Sequence, residues 1–493
     1  MSALAPNRRL PAFAPVLAFP SNAGSSTAPS GPRLSEIIEA LSHALDMTEG
    51  QPPGHCIRSA FIGTRIGAAV GLGEAALHDL RYTLLLKDLG CSSNAARLCQ
   101  LYLTDDLGFK QAFKRIDDGL PEVLRFVIGH TGLKSGLAER LRAIVHIVRN
   151  GGEIAQELIE TRCGRGAAIA RKLRFSEAVA EGVASLDEHW DGGGKPAKLA
   201  GEAIPLFSRI ALLAQVVDVV HQGGGRGAAL AEAAKRTGRW FDPVLALAFA
   251  RIAADPAFWE RLEGPQDGLL ERFDESDARP DEDYLDDIAE AFAEIVDSKS
   301  PYTSGHCQRV AAVTDLIGES LGLDAAKRRW MKRAALLHDV GKLGVSNTIL
   351  DKPGKLDEAE WMEMRRHASH SRTILARIPA FAEIAAVGGA HHERLDGRGY
   401  PDGLKGEAIS FETRIVTVAD IFDALTADRP YRAAMPVSQA LAIMERDVGT
   451  AIDATCFAAL RRALGELAPD LVPVAATVAP IVRLAPHITP VLA

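Results

Sequence analysis

The fold is decided by a stretch of sequence that occurs twice in the chain. Residues 395–424 read LDGRGYPDGLKGEAISFETRIVTVADIFDA, and residues 190–219 read WDGGGKPAKLAGEAIPLFSRIALLAQVVDV. The 28 ungapped pairs that join residues 191–218 to residues 396–423 contain 13 identities. Typical composition gives roughly two by chance. The chain is therefore a tandem duplication of one structural unit.

Two shorter matches extend the repeat toward the start of each copy. GHCIR at residues 54–58 corresponds to GHCQR at 305–309, and KDLG at 87–90 corresponds to HDVG at 338–341. These pairs lie 251 residues apart, whereas the longer stretches lie 205 apart, which leaves 46 extra residues in the N-terminal copy. We therefore predict an insertion in that copy, between its KDLG and WDGGG segments.

Helical periodicity runs through both copies. Apolar residues recur at Val310, Val313, Ile317 and Leu321, after a helix cap candidate at residues 303–304. An aromatic content of only 6%, with abundant alanine, also favours helix over sheet. We predict an all-α protein of tandem helical bundles. Its predicted parts are a flexible leader (1–33), an N-terminal domain (34–263), a linker (264–283), a C-terminal domain (284–470) and a proline-rich apolar tail (471–493).

Charge and cysteine usage narrow the class of protein. The 56 basic and 64 acidic residues give a net charge of −8, which is a poor balance for a protein that binds a nucleic-acid polymer. The six cysteines form no CxxC pair, which is typical of a reducing compartment and of proteins without a thiolate zinc site. No convincing membrane-spanning stretch is present. We therefore expect a cytoplasmic protein.

Histidines are concentrated in the C-terminal copy. Six of the 14 fall within 87 residues, where an even spread would put about 2.5. A single helical histidine is more often a packed core residue than a ligand, but such a cluster reverses that expectation because every member needs desolvation and a partner. With two aspartates it offers only nitrogen and oxygen ligands, which suit iron or manganese. The cluster consists of His306, His338, His367, His370, His391 and His392, with Asp339 and Asp420.

The adjacent pair His338 and Asp339, here called the HD pair, follows a helical pattern that Gly341 closes. Both side chains can then project from one helix end into a cleft. A carboxylate there can bridge two cations, which lower the pKa of a shared water and neutralise charge on a phosphate. Phosphodiester hydrolysis is the reaction that this arrangement favours.

Five motifs of the C-terminal copy occur together and in order. They are YTSGH from residue 302, HDVGK from 338, DKPGKL from 351, HHERLDGRGYPDGLKGE from 391 and ADIFDALTADRPYR from 419. In these motifs the chain resembles the HD-GYP branch of the HD superfamily of metal-dependent phosphohydrolases. The resemblance implies a helical bundle with a dinuclear or, in some members, trinuclear metal centre, and hydrolysis of cyclic di-GMP or a related cyclic dinucleotide.

The resemblance also implies a ligand set. Trinuclear members have a glutamate four residues before the first histidine, and Tyr302 stands there in this chain, so we expect two divalent metals, Fe or Mn. His370 matches no ligand position and is expected beside the site or facing solvent. One metal would take His306, His338, Asp339 and Asp420, and the other would take Asp339 as bridge with His367, His391 and His392.

Further residues match family positions that contact substrate or partners. Asp339 and Lys342 are the predicted catalytic residues, and Lys342 would reach the scissile phosphate. Arg429 and Arg432 would grip phosphates, although a solvated helix start is the alternative. The loop Gly399, Tyr400 and Pro401 gives the family its name. It either docks a partner with a GGDEF domain or only supports the histidine pair beside it.

The N-terminal copy has lost most of these groups. His55 and Asp88 remain, but Lys87 replaces the first histidine of the HD pair and Gln215 replaces the last aspartate. Lys87 either places an ammonium beside Asp88, in the role of a cation, or is an ordinary surface lysine. We predict a degenerate domain that kept the fold, lost catalysis and has a regulatory or scaffolding role. The other replacements are Cys91 for the lysine and Leu186 and Asp187 for the paired histidines, with His189 shifted by three places.

The predicted function is hydrolysis of cyclic di-GMP to linear pGpG, GMP or both, in bacterial second-messenger signalling. Two alternatives stay open at this point. The substrate can be another cyclic nucleotide, such as a cyclic GMP-AMP, since the motifs fix the reaction class more firmly than the base. The C-terminal copy can also be a receptor for a cyclic dinucleotide with little turnover. A homodimer is a further open prediction.

Overall fold

The computed structural model describes residues 31–114, 116, 119–266, 268–270, 279–429 and 432–467. The predicted tail over 471–493 lies outside these residues, as does the predicted leader except for residues 31–33. The predicted linker is described only in part, and a helix begins within it at Glu282.

The described residues fold into α-helices joined by turns, loops and short 3₁₀ helices, without a β-strand, so the all-α prediction is confirmed. None of the described helices is both long and apolar enough to cross a membrane. The N-terminal copy contains α1 (Leu34–Thr48), α2 (His55–Ala69), α3 (Glu74–Leu86), α4 (Ala95–Tyr102), α5 (Asp106–Phe113), α6 (Leu120–His130), α7 (Leu137–Lys172), α8 (Glu177–Ala184), α9 (Leu206–Arg236), α10 (Pro243–Ile252) and α11 (Pro256–Glu263). The C-terminal copy contains α12 (Glu282–Asp297), α13 (His306–Ser320), α14 (Ala325–Leu337), α15 (Asn347–Leu350), α16 (Glu358–Leu375), α17 (Ala382–Ala390), α18 (Phe411–Thr426), α19 (Val437–Arg446) and α20 (Ala454–Leu467).

The repeat seen in the sequence is a repeat in the structure. Helices α2 and α13 both have 15 residues, and α3 and α14 both have 13. Each of the first pair starts after a glycine in the left-handed conformation, with φ of 85° at Gly54 and 69° at Gly305. The predicted cap at residues 303–304 is therefore wrong, because the positive φ of Gly305 turns the chain and makes His306 the first helical residue.

The N-terminal copy contains a small hydrophobic core that is separate from the main one. Helices α4 to α7 enclose Leu98, Phe109, Phe126 and Ile147. The ring centroids of Phe109 and Phe126 lie 5.1 Å apart in an edge-to-face arrangement, which aromatic pairs favour. All four helices lie between the KDLG and WDGGG segments, where the insertion was predicted.

One large core runs through both copies. It includes Ile37 of α1 and Ile62 of α2, together with Phe292 of α12 and Val416 of α18, all fully buried. The described residues from Pro32 onward accordingly form one compact unit. The proposed boundary between two domains stays a prediction.

A buried polar junction joins the copies behind the HD pair, at the 3₁₀ helix Val340–Gly344, here called the HD turn. Asp106 of α5 accepts hydrogen bonds from the Asn347 backbone N–H at 2.9 Å and the Ser346 hydroxyl at 3.2 Å. Its carboxylate also lies 3.6 Å from Lys299 Nζ, and Lys299 donates to the Leu343 carbonyl in the HD turn at 3.0 Å. The N-terminal copy therefore supports the turn that follows the HD pair.

Candidate metal centre

Five helices of the C-terminal copy bring the seven predicted metal ligands to one place. His306 is the first residue of α13, and the HD pair follows the last residue of α14. The other ligands lie on α16, at the end of α17 and on α18. These are His367 on α16, His391 and His392 after α17, and Asp420 on α18.

Asp339 stands at the middle of the group, and its two oxygens face different histidines. Oδ2 lies 3.2 Å from His306 Nε2 and 3.2 Å from His338 Nε2. Oδ1 lies 3.5 Å from His367 Nε2 and 3.6 Å from His391 Nε2. A carboxylate between two pairs of imidazoles has the geometry that a bridge between two cations requires.

The ring orientation of three histidines follows from local backbone contacts. Each directs Nδ1 at the carbonyl three residues earlier, at 2.6 Å for His338, 2.6 Å for His367 and 2.8 Å for His391. A carbonyl only accepts hydrogen bonds, so Nδ1 carries the proton and Nε2 presents a lone pair. Burial lowers the pKa of His367 to about 4 and that of His391 well below its ordinary value, which keeps both rings neutral as ligands must be.

The ligand nitrogens and oxygens are arranged to bind metal ions rather than to hydrogen-bond with one another. The Nε2 atom of His367 lies 3.4 Å from that of His391, so two lone pairs face each other without a proton between them, and it lies 3.1 Å from Nε2 of His392. His306 Nε2, His338 Nε2 and Asp339 Oδ1 are buried and have no hydrogen-bond partner among the described residues. Buried polar atoms without partners are costly, and a cation satisfies all of them at once. The residues present therefore fit a metal centre.

An outer pair of residues holds the first histidine. His306 Nδ1 lies 2.7 Å from Asp423 Oδ2, and Arg309 Nε donates to Asp423 Oδ1 at 2.5 Å. Burial alone would raise the pKa of Asp423, but the bonds from His306 and Arg309 lower it to about 2. Outer partners of this kind fix the ring orientation of a metal ligand. Neither residue was predicted from the sequence as part of the site, although each is identical in the two copies.

Lys342 in the HD turn is buried, and its Nζ lies 2.5 Å from Asp339 Oδ2. Burial would lower the pKa of Lys342, but the charges of Asp339 and Asp420 raise it, so the ammonium is retained. Arg429 lies near enough for its charge to oppose that of Lys342. Arg432, the other predicted phosphate contact, donates to the Leu425 carbonyl at 2.8 Å near the end of α18, so its guanidinium is engaged there.

The loop over residues 399–401 packs behind the histidine pair. Glu393 accepts hydrogen bonds from the backbone N–H groups of Asp402 at 2.7 Å and Gly403 at 3.0 Å. A Cβ atom at Gly399 would come within 2.4 Å of the Glu393 Cα, so only glycine lets the loop pass. The loop therefore supports His392 structurally, whichever partner role it has.

The two remaining positions discussed from the sequence do not join the ligand group. Tyr302, where trinuclear members have a glutamate, is 37% exposed and supplies no carboxylate. His370 is half-buried against the HD turn, where a Cβ built on Gly341 would lie 2.8 Å from the His370 Cβ.

In the N-terminal copy a lysine stands in the equivalent centre. Lys87 is 2% exposed, forms an ion pair with Asp88 and lies 3.0 Å from His55 Nε2. The ammonium thus lies between the counterparts of His306 and Asp339. The prediction that Lys87 places an ammonium beside Asp88 is confirmed, and the surface alternative is wrong. Its role in the place of a metal cation stays a prediction.

The chain is similar to several known proteins. The HD domain family model matches residues 138–245 and 290–456. A "3'3'-cGAMP-specific phosphodiesterase 3" of Vibrio cholerae is 54% identical over 89% of this chain and 95% of its own length. A solved structure of a cyclic GMP-AMP specific phosphodiesterase of V. cholerae is 49% identical, with a TM-score of 0.63 over 90% of this chain and 100% of that chain. The cyclic di-GMP phosphodiesterase response regulator RpfG of Xanthomonas campestris is 41% identical over 36% of this chain and 47% of its own length.

The family match and the relatives define the class of protein. The chain belongs to the HD domain family, whose members are metal-dependent phosphohydrolases. Within that family it falls in the HD-GYP branch, and it is a phosphoric diester hydrolase.

Proposed function

We propose that the C-terminal centre hydrolyses a cyclic dinucleotide and that 3'3'-cGAMP is its preferred substrate. The observation that carries the reaction class is the position of Asp339, whose two oxygens face separate histidine pairs beside the buried ammonium of Lys342. The observation that favours this substrate is the 54% identity, over 95% of the relative's length, to an enzyme named for it.

The chain's own residues supply a site for two divalent ions, which we propose to be Fe or Mn. His306, His338 and Asp420 would hold one ion, His367, His391 and His392 would hold the other, and Asp339 would bridge them. When bound, such ions activate water and stabilise charge on a phosphate under attack.

Positive side chains would complete phosphate recognition. Lys342 is held in the HD turn by its ion pair with Asp339, which fixes the ammonium beside the reacting group before substrate arrives. Arg429, whose charge opposes that of Lys342, is the second positive side chain that we propose to contact phosphate. A preorganised charge of this kind is effective because it needs no rearrangement during reaction. A protein with a net charge of −8 can bind a polyanion in this way.

Cyclic di-GMP is the second candidate substrate. It is favoured by relatives named for that activity, including RpfG at 41% identity and an enzyme of Thermotoga maritima at 36% identity. Both cover only about a third of this chain, in contrast to the relative named for 3'3'-cGAMP. For the N-terminal copy we propose a supporting role without metal. Cytoplasmic location, a GGDEF-domain partner and a homodimer stay predictions.

The test is a direct assay of both substrates on the purified full-length protein. The protein is purified without oxygen, its Fe and Mn contents are measured, and products are resolved by chromatography. We expect 3'3'-cGAMP to be cleaved with a kcat/KM at least tenfold above that of cyclic di-GMP. The reverse order would select the second candidate. Cleavage of neither substrate by metal-loaded protein would contradict the proposed function.

A further inference from the structure

A row of aromatic rings leads outward from the metal centre. The ring of Tyr400 stacks on that of His392, with centroids 4.8 Å apart and an angle of 29°. Trp361, on α16, lies next in the row, 6.3 Å from Tyr400 in an edge-to-face arrangement. The row therefore connects a predicted metal ligand to a half-exposed tryptophan.

Arg365 covers this row on its outer side. Its guanidinium carbon lies 5.1 Å from the ring centre of Trp361 and 5.3 Å from that of Tyr400. The neighbouring Arg366 pairs with Glu363 at 2.7 Å, whereas no carboxylate of the described chain pairs with Arg365. Arg365 is exposed to solvent, and its contacts with the two rings hold its charge and its flat face at the outer side of the row.

The hydroxyl of Tyr400 is unsatisfied. It is buried and has no hydrogen-bond partner among the described residues. The inner end of the row therefore presents a hydrogen-bond donor close to the metal ligands.

We propose that Trp361, Arg365 and Tyr400 form a subsite for one purine base of the substrate. This inference rests on the proposed function, because a cyclic dinucleotide places a base close to each phosphate. A base stacks on aromatic and guanidinium faces with little regard to its identity. The subsite would therefore accept adenine and guanine alike and would favour a purine over a pyrimidine, which has a smaller face.

The N-terminal copy lacks the tyrosine of this row. The residue that corresponds to Tyr400, at the offset of 205, is Lys195, and its Nζ lies 3.4 Å from Gln156 Oε1. The aromatic position is thus present in the copy that has the metal ligands and absent from the copy that has lost them. This is the distribution that a substrate-binding role requires.

The experiment compares Trp361→Ala and Arg365→Ala with the wild type in the metal-loaded full chain. Loss of stacking raises the KM for the purine cyclic dinucleotide roughly 5- to 150-fold, equivalent to about 1–3 kcal/mol at 1.4 kcal/mol per tenfold change. Trp361→Phe retains most of the affinity. The matched control is Trp330→Ala on α14, whose ring also lies near a cation, with Lys327 Nζ 4.4 Å from its centre. The control leaves KM unchanged.

A second readout separates binding from mere structural support. The wild type and Trp361→Ala are compared on the purine substrate and on cyclic di-UMP, with metal content measured for both. A base subsite predicts that the purine-to-pyrimidine ratio of kcat/KM falls toward one in Trp361→Ala. An unchanged ratio, or a KM within twofold of the wild type, overturns the inference. A wild type that cleaves no cyclic dinucleotide instead overturns the proposed function, so the two failures are distinguishable.

Discussion

The two copies share an outer frame and differ in what occupies its centre. In the N-terminal copy His55 Nδ1 lies 2.7 Å from Asp218 Oδ2, and Arg58 Nε donates to Asp218 Oδ1 at 2.6 Å. The corresponding distances in the C-terminal copy are 2.7 Å and 2.5 Å. Inside this frame, one copy has a histidine and aspartate group open to metal, and the other has a lysine.

The two copies also share a glutamate that holds the backbone of the following loop. Glu188 accepts from the backbone N–H groups of Ala197 at 2.6 Å and Leu199 at 2.9 Å, much as Glu393 holds the loop of the other copy. The contacts that shape the fold thus persist without metal ligands. We infer that the frame contributes stability in both copies, while chemistry depends on the few residues at the centre.

The largest expected effect comes from the bridging carboxylate. Asp339→Asn removes the negative charge that both histidine pairs face. Mutation of a residue that only hydrogen-bonds to a metal ligand typically lowers metal affinity or activity 10–100-fold, so for the ligand itself we expect kcat/KM to fall on the order of 10³-fold or more. Metal content per protein falls with it. The matched variant Asp88→Asn leaves kcat per folded molecule unchanged. Equal losses in both variants would contradict the division of roles between the copies.

The internal cation gives the next effect. Lys87→Met removes the ammonium nearest to Asp88 and leaves that buried carboxylate with the more distant Lys114, whose Nζ lies 3.7 Å from Asp88 Oδ1. Breaking a buried pair costs about 3–5 kcal/mol of unfolding free energy, and we expect a loss toward the lower end of that range because Lys114 remains. Denaturant unfolding measures this loss. Lys342→Met changes the lysine that pairs with Asp339, the aspartate of the HD pair. With metal bound, this variant should lower kcat far more than it lowers the unfolding free energy. If Lys87→Met is as stable as the wild type, the ammonium does not replace a metal charge.

Acid should destabilise the folded protein through His55, the histidine that faces Lys87. Burial, and then the charge of Lys87, lower the pKa of His55 from 6.5 to about 4. The unfolded chain protonates this histidine below pH 6.5 and the folded protein does not, so stability is lost as pH falls from 6.5 toward 4. Between pH 6.5 and 4.5 the wild type should lose about 2–3 kcal/mol more than His55→Gln. Parallel pH profiles for the two proteins would show that His55 titrates normally.

The smallest effect compares the outer aspartates. Asp423→Asn weakens the hold on His306 and should lower metal affinity about 10–100-fold, measured by competition with a chelator. Asp218→Asn removes the same contact from the N-terminal copy and should leave metal affinity unchanged while lowering the melting temperature. A change in metal affinity in Asp218→Asn would mean that the N-terminal frame reaches the metal centre.

Much of this organisation is predictable from the sequence. The repeat and the helical periodicity predict two helical copies, and the histidine cluster predicts residues that the structure brings together around Asp339. Arg309 and Asp423 were missed, although their identity in both copies was available as a signal. An unbroken match between the copies indicates shared structure, whereas most of the metal ligands differ between the copies, so identity alone did not point to the metal centre.

Other features depend on tertiary contacts that local sequence does not encode. Lys87 follows a helical pattern that is equally compatible with a buried or an exposed side chain, and its burial depends on where Asp88 and His55 lie in the fold. The contact of Asp106 with Asn347 joins residues 241 positions apart. The error at residues 303–304 arose because a hydroxyl cap is the usual start of a helix, whereas here a glycine with positive φ performs the turn.

The polar junction at Asp106 limits how freely the catalytic copy can be transplanted. A cut between the copies would leave Lys299, with a buried ammonium, and the Asn347 backbone N–H without the carboxylate that satisfies them. We therefore do not expect the C-terminal copy to fold as an independent domain when it is moved alone into another protein. A protein engineer who wants the catalytic half alone must replace Lys299 and rebuild the surface of the HD turn, or carry α5 of the other copy along with it.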